Sequence, residues 1–128
     1  MRKRKFVYGV LVFVLIGCGG AEAIADLFVA DLSNDYKSTR NSAFVFSPKA
    51  TNVNESDFTG TELDASGIDK EFTGHFLNYD IHFQFTTGPE KGVTYTGKFI
   101  KGSNPTRIVL AGSNSQPLTL TKDVQPAN

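Results

Sequence analysis

The chain reads as mainly β, a small antiparallel meander that closes into a barrel or a sandwich. Three observations lead there. From Ala43 onward, short aromatic or β-branched runs alternate with clusters of Gly, Pro, Asn and Asp, the punctuation of strands and tight turns. One run alternates strictly: Tyr79, Ile81, Phe83 and Phe85 share one face, Asp80, His82, Gln84 and Thr86 the other. Three segments echo one another, Phe58-Thr59-Gly60, Phe72-Thr73-Gly74 and Tyr95-Thr96-Gly97, with Leu110-Ala111-Gly112 as a weaker fourth. Glycine inside successive strands marks bulges, bends or close backbone approach, the means by which a small sheet curls shut. The echoes fall at irregular intervals, which excludes a solenoid.

Taken in order, the chain opens with a basic stretch, Arg2 to Lys5, then an apolar run from Phe6 to Ile16 and the small residue Gly17. This is the layout of a secretory signal. An apolar helix of that length, at ~1.5 Å per residue, reaches roughly half of a ~30 Å hydrocarbon core, so cleavage of residues 1–17 is expected over a permanent span. Cys18, Gly19 and Gly20 follow as a tether, and residues 21–128 form one domain. Ala21 to Leu32 is Ala-rich with Ile24, Leu27, Phe28 and Leu32 at helical spacing, which predicts a short helix; Leu27-Phe28-Val29 alternatively begins a strand. Ser33 to Ser42 is polar and predicts a loop.

Seven strands are expected beyond it: Ala43 to Ser47, Asp57 to Leu63, Lys70 to Leu77, Tyr79 to Thr86, Gly92 to Ile100, Thr106 to Ala111 and Pro117 to Thr121. Thr87 to Gly92 supplies a hairpin connection, so the fourth and fifth of these should pair. A length of 128 residues with 40% hydrophobic and 20% charged content fits a single core.

The segment Leu15-Ile16-Gly17-Cys18 resembles the lipobox of bacterial lipoproteins, with an aliphatic residue three before the cysteine and a small one immediately before it. The resemblance implies cleavage between Gly17 and Cys18 and diacylglycerol on the Cys18 sulfur, with a further acyl group such as palmitate on the new amine. Two or three chains on one residue hold a membrane firmly where one chain is marginal. Cys18 is the only cysteine, so a disulfide within the chain is excluded. Gly19 stands where, by resemblance to enterobacterial sorting, an aspartate implies inner-membrane retention; an outer-membrane location is the expectation for a host that has one.

From Asp57 to Lys122 the pattern of aromatic-Thr-Gly steps resembles small secreted β-proteins of calycin or lipocalin-like type, which implies a barrel and a carrier for a small apolar ligand. The chain departs from true lipocalins in having no Trp and hence no Gly-x-Trp signature.

Composition narrows function further. After Cys18 the chain keeps 9 of its 13 Lys+Arg against all 13 Asp+Glu, a net charge near −4 without a basic patch, which argues against nucleic acid as a partner. There is neither a Gly-x-Ser-x-Gly elbow nor a free cysteine once Cys18 is acylated, and serines such as Ser103, Ser113 and Ser115 sit in turn-forming surroundings. No catalytic residue, metal site or cofactor is assigned. His75 and His82, the only histidines, are expected at the surface or rim. The acidic set Asp57, Glu62, Asp64, Asp69 and Glu71 flanks Asp64 to Asp69, a solvated turn in which the regular calcium-loop offsets are missing. Tyr79, Ile81, Phe83, Phe85, Tyr95 and Phe99 either fill the core or line a ligand pocket, with packing the better expectation for a small barrel. The leading expectation is a non-enzymatic envelope lipoprotein, held to the membrane through Cys18, whose domain acts as an interaction or structural module. A carrier of a small apolar ligand comes second and a small envelope hydrolase third.

Overall fold

The computed structural model describes residues 28–123, which form a closed antiparallel barrel of eight strands in sequence order. The strands are β1 (Tyr36–Ser38), β2 (Ser42–Pro48), β3 (Glu55–Asp64), β4 (Asp69–Leu77), β5 (Asp80–Phe85), β6 (Thr94–Phe99), β7 (Arg107–Gly112) and β8 (Pro117–Lys122). Each pairs with its neighbour in sequence, and β1 closes the ring on β8 through Tyr36↔Lys122, Lys37↔Thr121 and Ser38↔Leu120. The barrel is realised, not the sandwich, and the seven expected strands all form.

Two expectations need correction. The stretch read as loop from Ser33 to Ser42 contains a strand, β1. Its three residues carry no run of their own and become a strand only because β2 and β8 offer ladders on both sides. The helix expected over Ala21 to Leu32 is absent from its described part, residues 28–32, which have no regular structure. Residues 21–27 lie outside the described residues, as do Gly17 and Cys18. In place of a helix, the chain lies across one mouth of the barrel: Phe28 stacks on Tyr79 at 4.3 Å between ring centroids and tilts against Phe99 at 5.1 Å. Its backbone N–H meets Asn78 Oδ1 at 3.4 Å, and Leu32 is buried. Tertiary capture of a large aromatic outweighs the modest helix propensity of a short segment.

We call this mouth proximal. It carries residues 28–35, the two-residue turn Asn78-Tyr79, and the loops 49–54 and 100–106. The distal end carries the turns 39–41, 65–68 and 113–116 and the loop 86–93.

Strand alternation sends Phe44, Phe46, Phe58, Phe72, Phe83, Phe85 and Tyr95 inward. Their rings mesh: Phe72 and Phe83 lie 4.7 Å apart, Phe46 meets Phe58 and Phe72 edge-on at 5.4 Å each, and Phe83 stacks on Tyr95 at 5.7 Å. These separations are those of favourable aromatic pairs in a packed interior.

The echoed triplets pair two by two. In the β3–β4 register Phe58 faces Gly74, Thr59 faces Thr73, and Gly60 faces Phe72. In the β6–β7 register Tyr95 faces Gly112, Thr96 faces Ala111, and Gly97 faces Leu110. Each large inward residue thus lies over its partner's glycine, a cross-strand filling that pins register where glycine leaves a gap. A β-carbon on Gly74 would come within 2.6 Å of the Phe58 ring. The middle residue of every triplet points outward.

Candidate functional site

Two polar assemblies stand out against this aromatic core. The first closes the distal end. Arg40, in the β1–β2 turn, reaches over the barrel and grips Glu62 with two parallel hydrogen bonds, Nε to Oε2 at 2.8 Å and Nη2 to Oε1 at 2.6 Å. Glu62 is 1% exposed on the inner face of β3, and Ser42 Oγ donates to its Oε2. Arg40 Nη2 also lies 2.9 Å from Glu90 Oε1 in the 86–93 loop, and its Nη1 donates to Tyr95 Oη. Glu90 Oε2 in turn accepts from Tyr95 Oη at 2.6 Å and from Asn114 at 3.1 Å.

The guanidinium stands within 6 Å of the ring centroids of Phe44, Phe85 and Tyr95. Burial works against its charge, but the hydrogen bonds to Glu62 and Glu90 more than offset that and hold it protonated. Burial likewise opposes the charge on Glu90, yet Tyr95 and Arg40 keep its carboxyl below the usual range. Every member has a partner, which makes the assembly a lock joining four distal segments.

The second assembly lies on the outer wall. Registers carried from β2 to β6 align Ser47, Thr59, Thr73, Gln84 and Thr94 in one row. The adjacent row on the same wall runs Asp57, His75, His82 and Thr96, with Lys49 beside Asp57 through its backbone N–H to the Asp57 carbonyl at 2.9 Å. Between the rows is an open groove of about 650 Å³, reaching down to Phe58 and Gly74.

His75 is fixed in this groove by two carboxylates. Its Nδ1 is 2.7 Å from Asp57 Oδ1 and its Nε2 is 2.9 Å from Glu55 Oε2. The Asp57 hydrogen bond first, then that of Glu55, raises the imidazole above its ordinary pKa of 6.5. His75 in turn holds the Asp57 carboxyl below 3.8. His82 sits across the strand, 6.2 Å away between ring centroids. By contrast, the side chains of Ser47, Thr59, Thr73 and His82 make no hydrogen bond among the described residues.

No protein-family model, curated protein or solved structure matches this chain.

The residues singled out in the sequence divide cleanly. Ile81, Phe83, Phe85, Tyr95 and Phe99 are buried in the core, while Tyr79 is part-buried at the proximal mouth under Phe28. His75 and His82 face outward and are brought together by the turn Asn78-Tyr79. The acidic set is dispersed: Glu62 points inward to Arg40, Asp64 pairs with Lys70 at 2.7 Å, and Asp57 joins the outer groove. Gly67 takes a positive φ of 83° in the 65–68 turn, and its N–H closes on the Asp64 carbonyl at 3.1 Å. No group of three or more His, Cys, Asp or Glu is placed to hold a metal among the described residues.

Sequence reasoning missed Arg40 and Glu90, which belong to loops that meet only when the ring closes. It also passed over the outward threonines. The signal for those was in the echoes: if aromatic and glycine share the inner face, the threonine between them must be outside.

Proposed function

We propose that the protein is a non-enzymatic envelope lipoprotein whose barrel serves as an interaction module with its working surface on the outer wall. The observation that carries this reading is the filled interior: interlocking rings occupy the space that a ligand carrier keeps open. A closed ring has no free strand edge, so recognition would fall to side chains on the wall. The groove between β2 and β6 offers on that wall a row of side-chain hydroxyls, of which Ser47, Thr59 and Thr73 make no hydrogen bond among the described residues.

The lipobox resemblance supplies the tether. Nine residues separate Cys18 from Phe28, the point where the chain meets the barrel. Fully extended they span roughly 30 Å, so lipid on Cys18 would hold the proximal mouth towards the membrane and the Arg40 lock away from it. An outer-membrane location follows the absence of aspartate after Cys18.

Intact mass and membrane fractionation of wild type and Cys18→Ser test the tether. The expected wild type lacks residues 1–17, carries added lipid mass and pellets with membranes, and the variant does neither. Two full-length proteins in the membrane with a free thiol would overturn the lipoprotein reading.

A second reading, a carrier for a small apolar ligand, draws on one observation. At the proximal mouth a cavity of about 550 Å³ lies between residues 29–33 and the β2–β3 loop, with Phe46 and Phe76 on its inner side. A fluorescent apolar probe bound there would lose its signal on a Phe76→Asn substitution.

A further inference from the structure

We propose that the outer groove is a saccharide-binding site. The proposal rests on the reading that the wall is the working surface, but not on the tether.

Three features of the groove converge on this ligand class. Its first row offers hydroxyls and one amide, and Ser47, Thr59 and Thr73 spend none of their hydrogen-bonding capacity within the described residues. A threonine presents a methyl and a hydroxyl side by side, which suits a sugar ring that alternates C–H and O–H along its faces. The second row supplies directional polar groups. His75 is clamped by Asp57 and Glu55, whereas His82 keeps both ring nitrogens available, and Asp57 uses only Oδ1 on His75. Preorganised groups of this kind lose little freedom on binding. Finally, the floor between the two rows is sheet backbone at Phe58, whose side chain points inward, and at Gly74, which has none, so no side chain projects there against a flat ring.

The same features disfavour other ligands. An extended peptide adds to a sheet edge, and the closed ring has none. An apolar molecule gains little from a rim of hydroxyls, and a phosphate backbone would demand a cluster of cations where the groove sets Lys49 beside Asp57. The volume, about 650 Å³, is in the range of small-molecule sites, and its open shape points to weak single-site binding, a Kd of roughly 1 mM.

The packing beneath the groove has a source in the sequence. Gly74 and Gly60 leave the inner face without side chains, and the Phe58 and Phe72 rings fill the vacated space. The echoed triplet therefore builds both sides of the sheet at once, a packed aromatic-glycine interior and a threonine-lined exterior.

The test uses the full chain in detergent, titrated with maltotetraose, cellotetraose and the β-1,4-linked N-acetylglucosamine tetramer. His82 ring resonances and Thr methyl signals are followed by NMR. The expected result is that at least one probe shifts the His82 ring saturably below about 10 mM. The Thr59→Val/Thr73→Val double variant, which keeps shape and strand propensity, should bind it roughly tenfold more weakly. Its thermal midpoint should stay unchanged, which excludes misfolding as the cause.

Failure of all three probes to move His82 overturns the proposal, as does a response that survives in the double variant. Binding of a protein to this face with no saccharide effect also overturns it while leaving the interaction-module reading intact. The Cys18→Ser fractionation stands or falls independently.

Discussion

The Phe72 ring occupies the space that a β-carbon on Gly60 would need, one strand away, and the Val45 carbonyl oxygen bounds the same space at 2.6 Å from the other side. Neither neighbour can retreat, because Phe72 is wedged against Phe83 and Val45 belongs to the ladder of β2. Gly60→Ala is expected to destabilise by about 1–3 kcal/mol, the usual cost of overpacking. Gly67→Ala, at an open turn position with φ of 83°, should cost only about 1 kcal/mol of backbone strain. Urea unfolding of the two variants checks this order; equal costs would mean that the Phe72 contact does not constrain the sheet.

Glu62 is expected to be the most sensitive charged position. Removing it leaves the Arg40 guanidinium over three rings with Glu90 as its remaining anion. Glu62→Ala should cost about 3–5 kcal/mol. The paired replacement Arg40→Met/Glu62→Leu should recover part of it, since the buried cation and carboxylate both go, while Glu90 loses its cation and keeps Tyr95 and Asn114. A double-mutant cycle on thermal unfolding measures the coupling.

The His75 clamp sets a pH window. A histidine whose folded pKa is raised stabilises fully below its ordinary 6.5, and that contribution fades as pH rises through the folded value. Asp57, with its folded pKa lowered, stabilises fully above 3.8 and loses this as pH falls. Both contributions are complete between those limits. Glu55, Lys49, His82 and the Asp80–Lys98 pair are the other titratable groups around the clamp, and all lie on the solvent side. Wild type should therefore lose stability from pH 6 to pH 9, and His75→Ala should lose less. Denaturation midpoints across that range decide it, and parallel curves for the two proteins would remove the clamp from the account.

Phe28 closes the proximal mouth through one stacked and one tilted ring contact. Phe28→Ala should destabilise by about 1–2 kcal/mol, the scale of aromatic contacts plus partial burial. Hydrogen exchange should also quicken in the Asn78-Tyr79 turn, while the distal 65–68 turn stays as protected as in wild type.

Much of the barrel was legible because alternation carries its own evidence: Tyr79 to Thr86 announced which residues face inward, and β5 obeys it at every position. β1 was not legible, since Tyr36-Lys37-Ser38 is polar around a single aromatic and owes its conformation to strands on either side. The facing of His75 and His82 depends on a two-residue turn in which Asn78 takes a φ of 54°. Asparagine tolerates that region, but nothing nearby fixes the turn length, and a shift of one residue would have sent one imidazole inward. The Arg40 lock was least legible, because its members lie on segments from residue 40 to residue 114 that meet only at the closed end.

The β1–β8 seam has a kinetic consequence. Seven of the eight interfaces join strands adjacent in sequence, so the sheet can zip hairpin by hairpin at small loop-closure cost. The last interface must wait for both ends of the chain, and it is only three residue pairs long. The ring thus has a built-in order of assembly, with the seam closing last, and β1, held by three pairs on β8 and two on β2, is the strand whose release should let the neighbouring amides reach solvent first.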